Sequence, residues 1–130
     1  MKIMVGLDDA TISEKMLNLA KKHATAFGGD IELVISMETG DEEDQEKIKQ
    51  AEEYLAKKKR ILEADHIRCT THLLIRGMTP GEDLVAFGKE KKVDEIIVGV
   101  RRKSKVGKLV FGSTAQYVIL HAHCPVVSMK

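Results

Sequence analysis

Residues 96–114 read Ile96-Ile97-Val98-Gly99-Val100-Arg101-Arg102-Lys103-Ser104-Lys105-Val106-Gly107-Lys108-Leu109-Val110-Phe111-Gly112-Ser113-Thr114. The first four residues form an apolar run, largely β-branched, which is typical of a strand buried on both faces. A basic segment punctuated by glycines follows, and a helical apolar stripe begins near Ser113. This passage from a buried strand through a glycine-containing connection into a helix predicts a unit of a parallel α/β sheet.

The same alternation extends over the rest of the chain. Four other short runs predict strands, at residues 3–7, 31–37, 69–75 and 125–129. Apolar residues spaced by three and four predict helices between them, at about residues 12–27, 42–64 and 80–91. The third strand alternates polar and apolar residues, which predicts an edge strand with one solvated face.

Turn and cap residues mark the ends of these helices. Thr11 or Ser13 could cap the first helix, and Gly28-Gly29 ends it. Thr79 is expected to cap the third helix, with Pro80 at its first helical position. These signals make the predicted order βαβαβαβαβ.

That order predicts one α/β domain over residues 1–130, with a single open parallel five-stranded sheet of order 3-2-1-4-5 and helices on both faces. The chain reverses its winding direction between strands 1 and 4. Ligands of such sheets bind at that point, outside the carboxyl ends of the strands. Asp8, Met37 and Gly99 are expected there.

Composition narrows the classes of function. The 130 residues include 21 basic and 20 acidic side chains, a net charge of +1. A protein that binds nucleic acid by neutralising phosphates usually has a larger basic excess, so no nucleic-acid partner is expected. No signal peptide or membrane span is expected, and Cys69 and Cys124 fit two reduced thiols, so the expected location is the cytoplasm.

The connection after Gly99 has the chemistry of a phosphate site. Glycines let backbone amides approach an anion, and a helix beginning near Ser113 directs its unpaired amides at the same place. Ser113 and Thr114 add hydroxyl donors, while Arg101 and Arg102 head a cluster of positive charge. The segment is neither a Walker A loop nor a dinucleotide fingerprint, because the glycine and lysine spacings of both motifs are absent.

The spacing of this segment resembles that of the universal stress proteins. Their nucleotide-binding members carry Gly, two residues, Gly, nine residues, then Gly-Ser or Gly-Thr. Gly99 matches the first glycine and Gly112-Ser113 the last pair, while Arg102 stands where the second glycine would be. The similarity covers the whole chain, including three further segments: Val5-Gly6-Leu7-Asp8, Arg76-Gly77 and Ala122-His123-Cys124-Pro125-Val126-Val127.

This resemblance implies a Rossmann-like fold of the adenine nucleotide alpha hydrolase-like type and a site for ATP or AMP, with or without Mg²⁺. Asp8 would contact ribose or adenine, with a turn role as the alternative. Met37 and Val98 would flank the base, with a simple core role as the alternative for Met37. Arg102 would either block the phosphates or bind them through its guanidinium. The expected nucleotide-binding residues are Leu7, Asp8, Met37, Val98, Gly99, Arg101, Arg102, Gly112, Ser113 and Thr114.

Three functions follow from these observations. The first is a cytosolic protein that binds an adenine nucleotide and acts as a stress-response regulator or sensor. The second is a nucleotide-free homodimeric interaction protein. The resemblance implies a dimer through the C-terminal strand, and an exposed strand edge invites such pairing. The third is a slow ATPase, which the scarcity of acidic residues near the loop disfavours. No catalytic residue is assigned, and the spacing of His121, His123 and Cys124 disfavours a metal site.

Overall fold

The computed structural model describes residues 1–9, 14–103, 107 and 109–130, and for 101–103 and 109–110 it describes the backbone alone. Strands and helices alternate along the chain. The strands are β1 (Lys2–Leu7), β2 (Asp30–Met37), β3 (Cys69–Ile75), β4 (Glu95–Gly99), β5 (Arg101–Lys103), β6 (Leu109–Phe111) and β7 (Val126–Met129). The helices are α1 (Glu14–Phe27), α2 (Gln45–Ala64), α3 (Pro80–Glu90) and α4 (Ser113–His121).

Five strands form one parallel sheet in the order β3-β2-β1-β4-β7. The predicted order 3-2-1-4-5 is confirmed, with β7 as the fifth strand of the sheet. β3 lies at one edge, as its alternating pattern predicted, and β7 lies at the other. β1 has β2 on one side and β4 on the other. The winding direction of the chain therefore reverses between β1 and β4.

Each face of the sheet packs against two helices. One core cluster joins α1 and α2 to the sheet through residues such as Leu17, Leu55 and Ile97, and the other joins α3 and α4 through Leu84 and Val118. Odd-numbered residues of β2 face the first cluster and even-numbered ones the second, because strand side chains alternate. This arrangement leaves the carboxyl ends of the strands open for a site.

The helix ends follow the sequence with two corrections. Gly28 adopts a positive φ of 64°, which suits glycine, and the Gly29 amide donates to Ala24 at 2.8 Å, ending α1 as predicted. Thr79 stands before Pro80 as expected, but its hydroxyl donates to the Glu82 carboxylate at 2.7 Å instead of capping a backbone amide. The predicted second helix begins as a separate 3₁₀ turn, Glu42–Asp44. Thr11 and Ser13 lie outside the described residues.

The basic connection contains a small hairpin that the sequence pattern did not predict. β5 and β6 pair antiparallel, with Arg102 opposite Val110. Gly107, between them, has a positive φ of 80°. The amide of Gly112 then donates to the carbonyl of Val100 at 2.8 Å, which brings the start of α4 back to the end of β4.

Candidate functional site

A cleft of about 580 Å³ opens at the carboxyl ends of β1 and β2. Its apolar lining includes the buried side chains of Ile35 and Ala51 and the half-buried side chain of Met37. Its polar lining includes the exposed carboxylates of Asp8 and Asp9. An apolar inner surface with polar groups around it suits a ligand with a flat apolar ring and a hydroxylated part.

The first turns of α2 and the segment before it form another side of the cleft. Thr39, Asp44, Lys47 and Gln50 all line it. The Thr39 hydroxyl donates to the Asp44 carboxylate at 2.8 Å. Hydrogen bonds from Thr39 and with Asp41 lower the pKa of Asp44, and nearby Lys47 acts in the same direction. Asp44 is therefore a carboxylate at neutral pH.

The structure brings two of the predicted site residues together in the cleft, Asp8 and Met37. Met37 also packs against the α1/α2 core, so its two alternative roles coexist. Leu7 and Val98 are buried in the two core clusters and are absent from the cleft lining. Their contact with a base stays a prediction.

The glycine-containing end of the predicted site lies beside the cleft without lining it. Gly99 ends β4, the strand next to β1, and a side chain there would meet the Met16 sulfur at 3.2 Å. Gly112 precedes the first turn of α4, where Ser113 is exposed and Thr114 half-buried. The hydrogen bond from the Gly112 amide to the Val100 carbonyl places the N-terminus of α4 at the end of β4.

Arg101 and Arg102 are described by their backbone alone. Both lie in β5, so their peptide groups belong to the hairpin. Lys103 of the same basic cluster also lies in β5, whereas Lys105 and Lys108 lie outside the described residues. Whether Arg102 blocks or binds a phosphate therefore stays a prediction.

Sequence reasoning missed the contribution of α2 and the segment before it. The acidic segment 41–46 has the pattern of a solvated helix end, yet Asp44 lines the cleft. The signal available was Thr39 five residues before Asp44, a spacing that a local hydrogen bond can span. Pro80, predicted only as the start of α3, lines the cleft as well.

The two histidines near the C-terminus have other contacts. A ring nitrogen of His123 lies 3.0 Å from the carbonyl of Val93, and the rings of His121 and Tyr117 lie 4.2 Å apart. Within the described ranges, no group of three or more histidine, cysteine, aspartate or glutamate side chains could hold a metal ion. None of the helices in that part of the chain combines the length and apolar character needed to cross a bilayer.

Comparison with known proteins agrees with this geometry. The sequence profile of the Universal stress protein family matches residues 1–130. The chain belongs to the universal stress protein family. A curated universal stress protein of Methanocaldococcus jannaschii is 35% identical over 81 residues, which are 62% of this chain and 46% of that relative. The match thus spans about half the length of that relative.

Two solved structures of universal stress proteins from Archaeoglobus fulgidus are similar over the whole chain. One has a TM-score of 0.85 and 34% sequence identity, covering 100% of this chain and 98% of the other. The other is a complex with dAMP, with a TM-score of 0.81, 30% identity and the same coverage. These relatives share the sheet and helices described above.

Proposed function

We propose that this universal stress protein binds an adenine nucleotide and acts as a stress-response regulator or sensor in the cytoplasm. The observation that carries the proposal is the cleft of about 580 Å³, which both Asp8 and Met37 line at the carboxyl ends of two neighbouring strands. The similar protein of Archaeoglobus fulgidus that binds dAMP supports adenine as the base. Free Cys69 and Cys124 suit a reducing compartment.

The nucleotide would lie across the carboxyl edge of the sheet. Its base would pack on Met37 and Ala51, where the cleft is apolar. Its ribose would donate hydroxyl protons to Asp8, because carboxylates are strong acceptors. The phosphates would extend away from the carboxylates of the cleft, toward Gly99 and the first amides of α4, where the helix dipole favours negative charge.

Calorimetric titration with AMP, dAMP and ATP, each with and without Mg²⁺, tests the proposal. Asp8→Ala should weaken binding about tenfold or more, as expected for a lost hydrogen bond to a charged group. Asp65→Ala is the matched control, because Asp65 pairs with Lys21 on the surface outside the cleft and the expected affinity is unchanged. Absence of heat with the wild-type protein at about tens of micromolar would contradict the proposal.

Arg102→Ala separates the two roles of the residue that replaces the second motif glycine. If Arg102→Ala lowers the affinity for ATP more than the affinity for AMP, relative to wild type, Arg102 contacts a phosphate. Unchanged or tighter binding would show that it obstructs or stands beside the phosphates. Arg68→Ala is the control, because Arg68 is 81% exposed and pairs with Asp30 at the amino end of β2.

A second proposal is a homodimer through β7. This strand ends the sheet, pairing with β4 on one side. Val126, Val127 and Met129 remain half-buried there. An apolar edge strand favours pairing with a second chain, and light scattering should give the mass of a dimer. A monomer at high protein concentration would contradict this proposal.

A further inference from the structure

A buried hydrogen bond connects two segments that line the cleft. The Ser36 hydroxyl donates to Oδ2 of Asp83 at 2.8 Å, although the residues are 47 positions apart, and both are 0% exposed. Ser36 directly precedes Met37 in β2, and Asp83 lies in the first turn of α3 after Pro80. Because Met37 and Pro80 both line the cleft, this hydrogen bond joins two of its sides.

Arg76 holds the other oxygen of the same carboxylate. Its Nε donates to Oδ1 of Asp83 at 2.5 Å, and its Nη1 donates to both oxygens of Glu90 at 3.2 and 3.1 Å. Burial lowers the pKa of Arg76, but the hydrogen bonds to Asp83 and Glu90 outweigh it and raise the pKa above its ordinary value. Both oxygens of Asp83 thus have donors, and the carboxylate is held from two directions.

The backbone of Asp83 belongs to the same arrangement. Its amide donates to the carbonyl of Thr79 at 3.0 Å, closing the turn that contains Pro80. A shift of Asp83 would therefore move the start of α3. The side-chain link to Ser36 connects this turn to β2.

Stability alone does not require a charged link at this place. Burying a carboxylate costs several kcal/mol, and apolar residues of similar volume often replace a buried ion pair without loss of stability. Apolar contacts are non-directional, whereas a hydrogen bond loses strength when its distance or angle changes. A polar link between β2 and α3 thus contributes geometry more than net stability.

We propose that Ser36 and Asp83 are positioning residues that set the separation of Met37 and Pro80 across the nucleotide cleft. The inference rests on the proposed nucleotide binding, and it assigns the two residues no contact with the ligand. It predicts that a variant without this hydrogen bond binds a nucleotide more weakly than a variant that loses the same stability at a site distant from the cleft.

Ser36→Ala is the direct test, with dAMP as the titrant. Removing one hydrogen bond should weaken dAMP binding about fivefold in folded protein. Val93→Ala is the control for lost stability, because Val93 is buried at the opposite end of the sheet, before β4, and its variant should bind within about twofold of wild type. Ser36→Thr restores the hydroxyl and should restore affinity. Equal affinities for Ser36→Ala and Val93→Ala would overturn the inference.

Hydrogen exchange gives a readout that does not need the nucleotide. Amides of residues 37–39, and those of Thr79 and Gly81 on either side of Pro80, should exchange faster in Ser36→Ala and at wild-type rates in Val93→Ala. If wild type binds no nucleotide, the proposed function fails, whereas faster exchange confined to these segments still supports the link. Unchanged exchange there would overturn the link itself. If Ser36→Ala does not fold, Ser36→Cys, with its weak S–H donor, takes its place with the same expected directions.

Discussion

The two faces of the sheet bury their helices with different chemistry. On the α1/α2 face, the fully buried side chains are apolar, and the buried Glu95 pairs with His23 at its margin with 2.6 Å between Oε1 and Nδ1. On the α3/α4 face, the apolar cluster shares the interior with Ser36 and Asp83, both fully buried. The first face is a conventional core, and the second combines a core with a directional link beside the cleft.

One side chain from each face illustrates a different cause of a pKa shift. On the α1/α2 face, burial raises the pKa of the Cys69 thiol to about 11. On the α3/α4 face, the carboxylates around Arg76 outweigh the effect of burial on its pKa. Burial therefore sets the direction of the shift for Cys69, whereas specific partners set it for Arg76.

The largest expected effect tests the apolar face. Leu62 is fully buried near the end of α2, and Leu62→Ala should lower the free energy of unfolding by about 4 kcal/mol through lost burial and a cavity. Urea denaturation measures this loss. The neighbouring Ile61 is 37% exposed, so Ile61→Ala should cost clearly less. Equal losses would show that α2 is not anchored through Leu62.

The next effect tests the polar link of the other face. Asp83→Ala leaves the buried Ser36 hydroxyl and the Arg76 guanidinium without their shared acceptor, and should lower the free energy of unfolding by about 3 kcal/mol. Glu82→Ala, in the same helical turn but exposed, is the control and should cost less than about 1 kcal/mol. Similar losses would mean that leaving Ser36 and Arg76 without this acceptor costs no more than a surface substitution does.

A third prediction concerns the contact of α3 with α4. A Cβ at Gly81 would lie 2.8 Å from Cβ of Tyr117, so Gly81→Ala must push the helices apart and should destabilise by about 2 kcal/mol. Gly88→Ala, in the same helix, meets only side-chain ends at 3.3 Å or more. Both variants gain helix propensity, and their difference in thermal unfolding isolates the clash. A Gly81→Ala protein as stable as Gly88→Ala would show that α3 and α4 have room to adjust.

The smallest effect follows from Cys69. Its pKa is about 11 in the folded protein, whereas a solvated thiol has a pKa of 9.0, so the folded state retains a proton that the unfolded chain loses first. The resulting stability is present below about pH 9 and is lost as the pH rises toward about 11. The loss amounts to about 1 kcal/mol by pH 10. Urea denaturation at pH 8 and 10 should show this decline in wild type and a smaller one in Cys69→Ala. Parallel declines would assign the pH dependence to other groups.

The strands and helices could be predicted because their signals are local. Runs such as Ile96–Val98 are apolar throughout, as strands covered on both faces must be. Gly28 and Pro80 end and begin helices through their own backbone properties. The positions of Gly99 at the end of β4 and of Gly112 before α4 could also be predicted, because each glycine borders an apolar pattern of its own.

Other features depend on residues that are distant in the sequence. The hairpin of β5 and β6 was missed because its pairing competes with a plain loop of the same composition. Thr79 donates to Glu82, although a cap to the backbone was equally compatible with the sequence. The part that α2 plays in the cleft was missed because its polar residues resemble those of a solvated surface.

The sequence by itself determined the order of elements, their approximate ends and the family, because apolar periodicity, glycine and proline act within a few residues. Only the tertiary structure decided that Ser36 meets Asp83 and that Lys47 of α2 joins Asp8 and Met37 in one cleft. Those pairings arise when parallel strands align their carboxyl ends and helices cross over the sheet. Their energy depends on distances between side chains that no local pattern specifies.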